Sequence, residues 1–408
     1  MTSPPSYHHL RPWAAGLLGL VLVLTSCQRV SSPTGSSPEA GDREGCVAEY
    51  SETEDYFPAK AQVDYATGFT VEYHRHYKVV TVAMPWQQNQ PPLRYVLVQC
   101  GTPVPEVPGA TTVIEIPVQR VVALSTTHLP YLDELGQVEA LVGVGQFAFV
   151  NNPNVRRKID QGDLVEIASG QSLNLEQLLL AEPDLVMAIA TGNTEADSPQ
   201  RLQQAGLPVV AVAEFQETLP LGRAEWLKFT ALFFNQEALA EERFAAIAAE
   251  YQDLRELTTT LTDRPTVFSG SSYEGTWYVP GGKSYAAQLF RDAGADYLWA
   301  DLDQANSLPL DVEAVYDRAA MADFWLNGGL DWQTLGDALA ADARHGKFRA
   351  LQQNQMFNNN ARLNDGGGND YWESGSLYPH WILADLIHIF HPNLLPDHQL
   401  IYYQRLEP

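Results

Sequence analysis

The stretch LNLEQLLLAEPDLVMAIA, residues 173–190, joins a short amphipathic segment to an apolar run. Asn174 is a residue type that caps helices, and Glu176 would follow in the first turn, where a carboxylate interacts favourably with the helix dipole. The apolar run has the length and composition of a buried strand. The stretch therefore predicts a helix followed by a strand. Asp311 and Glu313 begin a similar unit that leads into the apolar run ADFWLN.

The same alternation of apolar runs and amphipathic segments extends through most of the chain. It begins with VVALS at residue 121 and resumes after Pro265 with TVFSG. Alternation of this kind predicts an α/β fold, in which helices cover a mainly parallel sheet. We therefore expect an N-terminal α/β lobe at residues 118–220 and a C-terminal α/β lobe at residues 263–408.

The alternation is interrupted at residues 221–262, which have a helical pattern throughout. The second part of this segment would form a helix about 35–40 Å long at 1.5 Å per residue. The predicted fold is thus two lobes, each a mainly parallel sheet with flanking helices, bridged by one long α-helix.

Residues 46–117 precede this alternation and form a β-rich extension. The runs FTVEYHRHYKVVTVAM and LRYVLVQC flank a turn-like segment, so we predict an N-terminal β-hairpin. His74 and His76 alternate on the first predicted strand and so share a face, which is a spacing that can bind a metal. No third ligand lies nearby in the sequence, and we predict no metal site.

The first 26 residues have the pattern of an export signal. An apolar core follows Arg11, but it is shorter than the roughly 20 residues that a membrane-spanning helix needs. The sequence LTSC, ending at Cys27, resembles a bacterial lipobox and predicts lipidation of that cysteine. The alternative is an ordinary signal peptide with an incidental cysteine. Residues 27–45 would form a disordered tether, and the protein would be periplasmic and lipid-anchored to a cell-envelope membrane.

The remaining cysteines are Cys46 and Cys100. Exported proteins meet an oxidising environment, so we expect the two to pair, with two buried thiols as the alternative. The formal net charge of −25 disfavours binding to nucleic acid and to anionic lipid surfaces. Attachment to a membrane would therefore depend on the lipid anchor.

Ligands in α/β sheets of this kind bind beyond the carboxyl ends of the strands. The residues that follow the predicted strands are mostly aromatic or neutral and polar, as a site for a large flat organic ligand requires. They are Ser125, Thr126, Thr127, His128, Gln146, Phe147, Glu214, Phe215, Tyr273, Trp277, Tyr278, Asn359, Asn360 and Arg362.

Several stretches together resemble the helical-backbone substrate-binding proteins of bacterial ABC importers. They are the opening stretch, VVALSTTHLPYLDELG, TWYVPGGKSYAAQLFRDAGADYLWAD and ILADLIHIFHPNLLPDH, and the likeness covers about residues 118–396. These proteins bind cobalamin, ferric siderophores or haem, and some bind metal ions. The resemblance implies a metal-chelate or corrinoid ligand held between two lobes, no chemistry on that ligand, and delivery to an ABC permease and its ATPase.

The resemblance also implies that one acidic residue on each lobe docks onto arginines of the permease. By position these residues are Glu176 and Glu313. The alternative is that both carboxylates only favour the dipoles of their helices.

We predict a ligand-binding set drawn from both lobes, with no cofactor and no resident metal. Arg223 and Arg362 could pair with carboxylates or phosphate of a ligand. His128 could contact an iron or cobalt centre, with hydrogen-bond donation or helix capping as alternatives. The predicted set is Thr127, His128, Arg223, Trp277, Tyr278, Tyr285, Arg362, Tyr371 and Trp372.

Two other functions are compatible with the sequence. Ser284 lies in a segment one residue short of the G-x-S-x-G pattern of serine hydrolases, so an envelope hydrolase is one alternative. An envelope scaffold protein that uses the acidic surface is the other. Reaction with a fluorophosphonate probe would favour the first, and stabilisation by a small ligand would argue against the second.

Overall fold

The computed structural model describes residues 45–83, 91–169, 172–189 and 199–408. The predicted signal at residues 1–26, the lipidation site Cys27 and all but the last residue of the predicted tether lie outside the described residues. Among the helices that the structure describes, none is both long and apolar enough to cross a membrane.

The extension before the first lobe is a four-stranded sheet. Its strands are β1 (Phe69–Tyr73), β2 (Tyr77–Val82), β3 (Leu93–Gln99) and β4 (Thr112–Ile116), in that spatial order. The first two pairs are antiparallel, and β4 runs parallel to β3. The predicted hairpin is therefore part of a larger sheet.

The prediction that His74 and His76 share a strand is wrong. Both lie in the turn between β1 and β2, where the His74 amide donates to the Tyr77 carbonyl at 2.8 Å. The run contains no glycine or proline, so composition alone gave no sign of this turn. A disulfide joins Cys46 to Cys100, with their Cα atoms 4.8 Å apart, and connects the start of the described chain to the end of β3.

The strands of the N-terminal lobe are β5 (Val121–Ala123), β6 (Leu141–Val144), β7 (Val165–Glu166), β8 (Ala168–Ser169), β9 (Ser172–Leu173), β10 (Leu185–Ile189) and β11 (Val209–Val212). Five of them form a parallel sheet in the order β11-β10-β5-β6-β7, and β8 and β9 form a separate antiparallel pair. Strands β10 and β11 are buried along almost their whole length, as expected for a parallel sheet covered on both faces. The helices of this lobe are α1 (Leu129–Glu134), α2 (Pro153–Gln161), α3 (Leu175–Leu180) and α4 (Pro199–Gln204).

Three helices connect the lobes. They are α5 (Pro220–Ala224), α6 (Trp226–Ala231) and α7 (Glu237–Thr259). Helix α7 has 23 residues and extends about 35 Å. The chain turns between α6 and α7 at Asn235, which has a positive φ of 56°.

The strands of the C-terminal lobe are β12 (Thr266–Ser269), β13 (Ser272–Tyr273), β14 (Thr276–Val279), β15 (Asp296–Tyr297), β16 (Leu308–Asp311), β17 (Phe324–Leu326), β18 (Met356–Asn358) and β19 (Gln404–Arg405). Five of them form a second mainly parallel sheet in the order β15-β12-β17-β18-β19, in which only β19 is antiparallel. The other three form a smaller antiparallel sheet in the order β13-β14-β16. The helices are α8 (Tyr285–Asp292), α9 (Val312–Ala319), α10 (Leu335–Ala341), α11 (Arg349–Gln352), α12 (Asp370–Glu373) and α13 (Pro379–Phe390).

The predicted fold class is confirmed, and one hydrophobic core runs through the extension, both lobes and the connector. The extension joins this core through Phe69, whose ring lies 5.0 Å from Trp226 and 5.4 Å from Phe229 in helix α6. Edge-to-face pairs of this kind add to the stabilisation from burial. The extension is therefore packed into the molecule and is not a loosely attached appendage.

Candidate functional site

A cavity of about 580 Å³ lies between the two lobes. The N-terminal lobe contributes Asp133 in α1 and Asn151 and Asn152 before α2, while the C-terminal lobe contributes Arg362 after β18 and Asp370 in α12. Parallel strands end at one edge of a sheet, so the segments after β6 and β18 can face each other across the lobe junction. The volume is within the range of small-molecule sites in proteins, roughly 300–1,000 Å³.

Arg362 gives this cavity a partly exposed cation. Its guanidinium donates to the Asp370 carboxylate at 2.8 Å, and half of the Arg362 side chain remains exposed. A planar guanidinium can bind a carboxylate or phosphate with two parallel hydrogen bonds. Arg362 was predicted to pair with a carboxylate or phosphate of a ligand; it lines this cavity, where Asp370 competes for the same cation.

Two aromatic side chains, Tyr378 and Trp381, form an apolar wall of the same cavity. Their rings are stacked with centroids 4.4 Å apart. The Tyr378 hydroxyl donates to Glu134 of the N-terminal lobe at 2.5 Å. This wall therefore also joins the two lobes.

A smaller pocket of about 170 Å³ lies at the carboxyl ends of β5 and β6. Ser125, Thr126 and Gln146 line it together with Phe149. These polar residues were expected here because each follows a strand. Thr127 lies beside the pocket, and its carbonyl accepts a hydrogen bond from Ser376 of the other lobe at 3.5 Å.

Arg223 and Tyr285, both predicted to contact a ligand, are buried against each other at the junction of the lobes. The Arg223 guanidinium lies 3.8 Å from the centroid of the Tyr285 ring and donates to the Phe215 carbonyl at 3.0 Å. Both side chains are at most 9% exposed. The pair joins the connector to the C-terminal lobe as a buried cation–π contact.

The predicted ligand contact of Trp277 is contradicted by its position. The side chain is fully buried, its indole nitrogen donates to the Ser269 carbonyl at 3.1 Å, and its ring packs against Trp325 and Phe348. Side chains alternate between the two faces of a strand. Trp277 therefore points into the core, and its neighbour Tyr278 points outward and is 48% exposed.

The predicted ligand contact of His128, whether to a metal centre or as a hydrogen-bond donor, does not fit its position. The His128 side chain is fully buried, and neither ring nitrogen has a hydrogen-bond partner among the described residues. Burial lowers the pKa of His128 to about 3, so the ring is neutral. Glu214 is also buried, and burial raises the pKa of its carboxyl group.

Tyr371 and Trp372 are adjacent in α12 but have different environments. Tyr371 is buried, with its ring 5.9 Å from both Tyr402 and Tyr403. Trp372 is half exposed, and its ring lies edge-on to Tyr371 at 4.7 Å. Of the aromatic residues predicted to contact a ligand, Tyr278 and Trp372 are the exposed ones.

Sequence reasoning missed Asn151, Asn152 and Glu373. The two asparagines precede Pro153, and Asn152 caps helix α2 by accepting from the amides of Asn154 and Val155. An asparagine before a proline is a helix-start signal that the sequence did contain. Nothing local in the sequence indicated Glu373, because its partners lie more than 200 positions away.

The hydroxyl of Ser284 has a structural role. It accepts a hydrogen bond from the Ala287 amide at 3.2 Å and caps helix α8, and the side chain is mostly buried. A capping serine is common at helix starts and requires no catalytic function.

Glu176 and Glu313 occupy equivalent positions on the two lobes. Asn174 caps α3 and Asp311 caps α9, as predicted, and both glutamates are exposed in the first helical turn. Glu313 is paired with Arg344 at 2.6 Å. Among the described residues, no ion pair involves Glu176.

Comparison with known proteins shows where this architecture occurs. The sequence profile of the periplasmic binding protein family matches residues 121–363. An uncharacterized lipoprotein of Methanocaldococcus jannaschii is 25% identical over 290 residues, covering 69% of this chain and 67% of that protein. A cobalamin-binding protein of Halobacterium salinarum is 26% identical over 219 residues, covering 52% of this chain and 54% of that protein.

Solved structures show the same fold. The likeness to a possible iron-binding protein of Staphylococcus epidermidis has a TM-score of 0.53 at 17% identity, covering 67% of this chain and 98% of that one. For a periplasmic haem-binding protein of Pseudomonas aeruginosa the TM-score is 0.52 at 17% identity, covering 71% and 99%. Since the family profile spans more than half of the 408 residues, this chain belongs to the periplasmic binding protein family.

Proposed function

We propose that this protein captures a metal-chelate or corrinoid ligand between its two lobes and delivers it to an ABC permease. The observation that carries the proposal is the 580 Å³ cavity, because both lobes line it and it combines a cation, carboxamides and an aromatic wall. Such a mixture suits a large organic ligand with a few polar groups. The name of the Halobacterium salinarum relative makes cobalamin the first ligand to test, before haem and ferric siderophores.

Ligand identity can be tested by thermal stabilisation. A ligand present at 100 times its dissociation constant should stabilise the protein by about 2.7 kcal/mol. We expect one of cobalamin, haem and ferric siderophores to raise the melting temperature at low micromolar concentration. Stabilisation by none of them would remove this ligand class from the proposal.

The contribution of the cavity can be tested with Arg362→Gln and Trp381→Ala, because both residues line it. Each variant removes one group that a ligand could contact, and loss of a charge-assisted hydrogen bond or of an aromatic face should weaken binding about tenfold. Lys283→Gln provides the matched control, because Lys283 is an exposed cation paired with Asp303. Calorimetry with the identified ligand should leave this control unchanged.

Docking to the permease would use Glu176 and Glu313. We expect Glu176→Ala combined with Glu313→Ala to abolish uptake while ligand affinity stays unchanged. If the glutamates only favour their helices, the double variant will be less stable and will transport normally. Arg344→Ala should reveal whether the ion pair to Glu313 must open for docking, since its removal would then increase uptake.

Anchoring would use Cys27. Protein made in a bacterial host should partition into detergent and lack residues 1–26, and Cys27→Ser should release it as soluble protein. Equal partitioning of both forms would contradict the anchor. The predicted partners are thus the ligand, the permease with its ATPase, and a membrane reached through lipid.

A further inference from the structure

A segment of the C-terminal lobe, residues 364–373, lies directly against residues 148–152 of the N-terminal lobe. We use the term clasp for this contact. The Asn364 side chain donates to the Val150 carbonyl at 3.2 Å. At Gly368, an added Cβ atom would lie 2.1 Å from the Phe149 carbonyl oxygen. The two backbones therefore touch, and a side chain at Gly368 would force them apart.

The Glu373 carboxylate forms the polar centre of the clasp. It accepts hydrogen bonds from the backbone amide of Asn152 at 2.6 Å and from that of Asn151 at 2.8 Å. The side chain is 1% exposed. Both amides belong to the N-terminal lobe, so separating the lobes would break these bonds and expose the carboxylate to water.

Glu373 lacks a compensating cation in the part of the chain that the structure describes. Arg362 is paired with Asp370, whose carboxylate is a further negative charge near Glu373. Asp133 faces the clasp from α1 and is held by the side chains of Asn152 and Asn154. The titratable and charged groups on the elements around Glu373 include Asp370 and Tyr371 in α12, Arg156 in α2, Asp133 and Glu134 in α1, and Arg362, Tyr378 and the neutral His128.

We propose that Glu373 is a proton-sensitive closure between the lobes, which holds the cleft shut when protonated and releases it when ionised. A buried carboxylate without a cation is costly in its charged form. Protonation removes this cost and leaves the carbonyl oxygen to accept one amide, while the bond from the other amide to the hydroxyl oxygen becomes weaker. Opening would let water solvate the charge. This regulation rests on the proposed function, because the clasp residues Asn151, Asn152 and Glu373 also line the ligand cavity.

The direction of the pH effect on closure follows from the difference in the pKa of Glu373 between the closed and open forms. Burial raises the pKa of Glu373 to about 7 from its ordinary value of 4.5; the hydrogen bonds from the Asn151 and Asn152 amides oppose this increase, and Asp370 adds to it. The closed form therefore binds a proton more tightly than an open form with a hydrated carboxylate. Closure gains stability as the pH falls from 7 toward 4.5 and loses it as the pH rises through 7. Ligand exchange should accordingly be faster in alkaline solution.

The experiment measures the separation of the lobes without any ligand. Its result therefore stays valid even if the protein binds none of the proposed ligands. Spin labels would be placed at Asp160→Cys on α2 and Asp317→Cys on α9, which are exposed positions on different lobes. The full chain would carry Cys27→Ser, so that only the two new thiols react. Pulsed electron–electron double resonance at pH 5.5 and pH 8.5 then measures the distances between the two labels, and their distribution gives the fraction of open protein.

We expect the ratio of open to closed protein to rise on the order of tenfold between pH 5.5 and pH 8.5. Glu373→Gln should remove this dependence, because its side chain stays neutral at both pH values. Glu166→Gln is the matched control and should behave like the wild type, since Glu166 accepts the Phe147 amide at 2.7 Å within one lobe.

An open fraction that is equal at both pH values, or that rises as the pH falls, would overturn the proposal. Retention of the pH dependence by Glu373→Gln would also do so. If Glu373→Gln does not fold, the titration of the wild-type chain alone decides between these outcomes, because it requires no change at the clasp.

Discussion

Glu225 and Glu373 are both buried carboxylates that hold backbone amides of a remote segment, but among the described residues only Glu225 is paired with a cation. Glu225, between α5 and α6, accepts from the amides of Tyr65 and Ala66 in the extension at 2.6 and 2.7 Å, with Lys228 at 3.1 Å. Glu373 holds Asn151 and Asn152 at the clasp in the same way.

The difference lies in the surrounding charge. Lys228 balances Glu225 and also contacts Glu241 at 3.0 Å. Within the described residues no such cation reaches Glu373, and the nearby Asp370 raises its pKa further. Similar hydrogen bonds thus hold a balanced charge at Glu225 and an unbalanced one at Glu373, and we expect only the second contact to depend on protonation.

The largest expected effect is the loss of stability when the contact between Glu225 and the extension is removed. Glu225→Ala removes the acceptor of the extension amides and leaves Lys228 buried with less compensation, which should lower the free energy of unfolding by about 3–5 kcal/mol. Chemical denaturation measures the loss. Glu242→Ala, at an exposed position on α7, should change stability by less than about 0.5 kcal/mol. A loss below about 1 kcal/mol for Glu225→Ala would mean that the extension is held mainly by its apolar contacts.

The next largest loss of stability is expected from removing the disulfide, which lies in the extension and does not involve the clasp. Cys46 and Cys100 are 54 positions apart, and opening a loop of that size should cost about 2–4 kcal/mol. Replacing both by serine should lower the melting temperature while leaving the pH dependence of lobe opening unchanged. A changed pH dependence would show that the extension and the clasp are coupled, whereas we expect them to be independent.

A smaller effect is expected in the pH dependence of stability. Because the pKa of Glu373 is raised to about 7 in the folded protein, protonation stabilises the fold as the pH falls from 7 toward 4.5. Relative to Glu373→Gln, the wild type should lose about 2 kcal/mol between pH 5 and pH 8. Parallel denaturation curves across this range test the difference. Equal slopes for the two proteins would indicate that Glu373 is already ionised when buried.

The smallest effect separates helix capping from the clasp. Asn152→Ala removes the cap of α2 and should cost about 1 kcal/mol, as should Asn174→Ala at α3. Neither variant should change lobe opening, because the clasp uses the backbone amide of Asn152, which alanine retains. Increased opening in Asn152→Ala alone would mean that the α2 cap positions this amide.

Much of the fold could be predicted from local patterns. The caps Asn174 and Asp311, the alternation of strands and helices, and the long helix α7 are confirmed by the structure. Each depends on residues within one or two turns of each other, so the sequence displays the relevant pattern directly. Arg362 lines the cavity between the lobes, and this position could be anticipated because Arg362 follows a strand end.

The site was predicted less well because burial depends on packing. Trp277 and Tyr278 are neighbours of equal aromatic character, and strand alternation requires only that they face opposite ways. Which of them faces the core is decided by Trp325 and Phe348, which come from other parts of the chain. His128 follows a strand as expected, yet the lobe junction covers it completely.

The order of elements, the helix starts and the strong acidity of the chain depend on residue type and short-range spacing, so they can be read from the sequence. Which charges are balanced depends on how the chain packs in three dimensions. Lys228 lies beside Glu225 through one helical turn, but Glu373 meets Asn151 and Asn152 across 222 and 221 positions. The cost of a buried charge depends on what folding brings within a few ångströms of it. That environment sets the pKa of Glu373, and no local pattern encodes it.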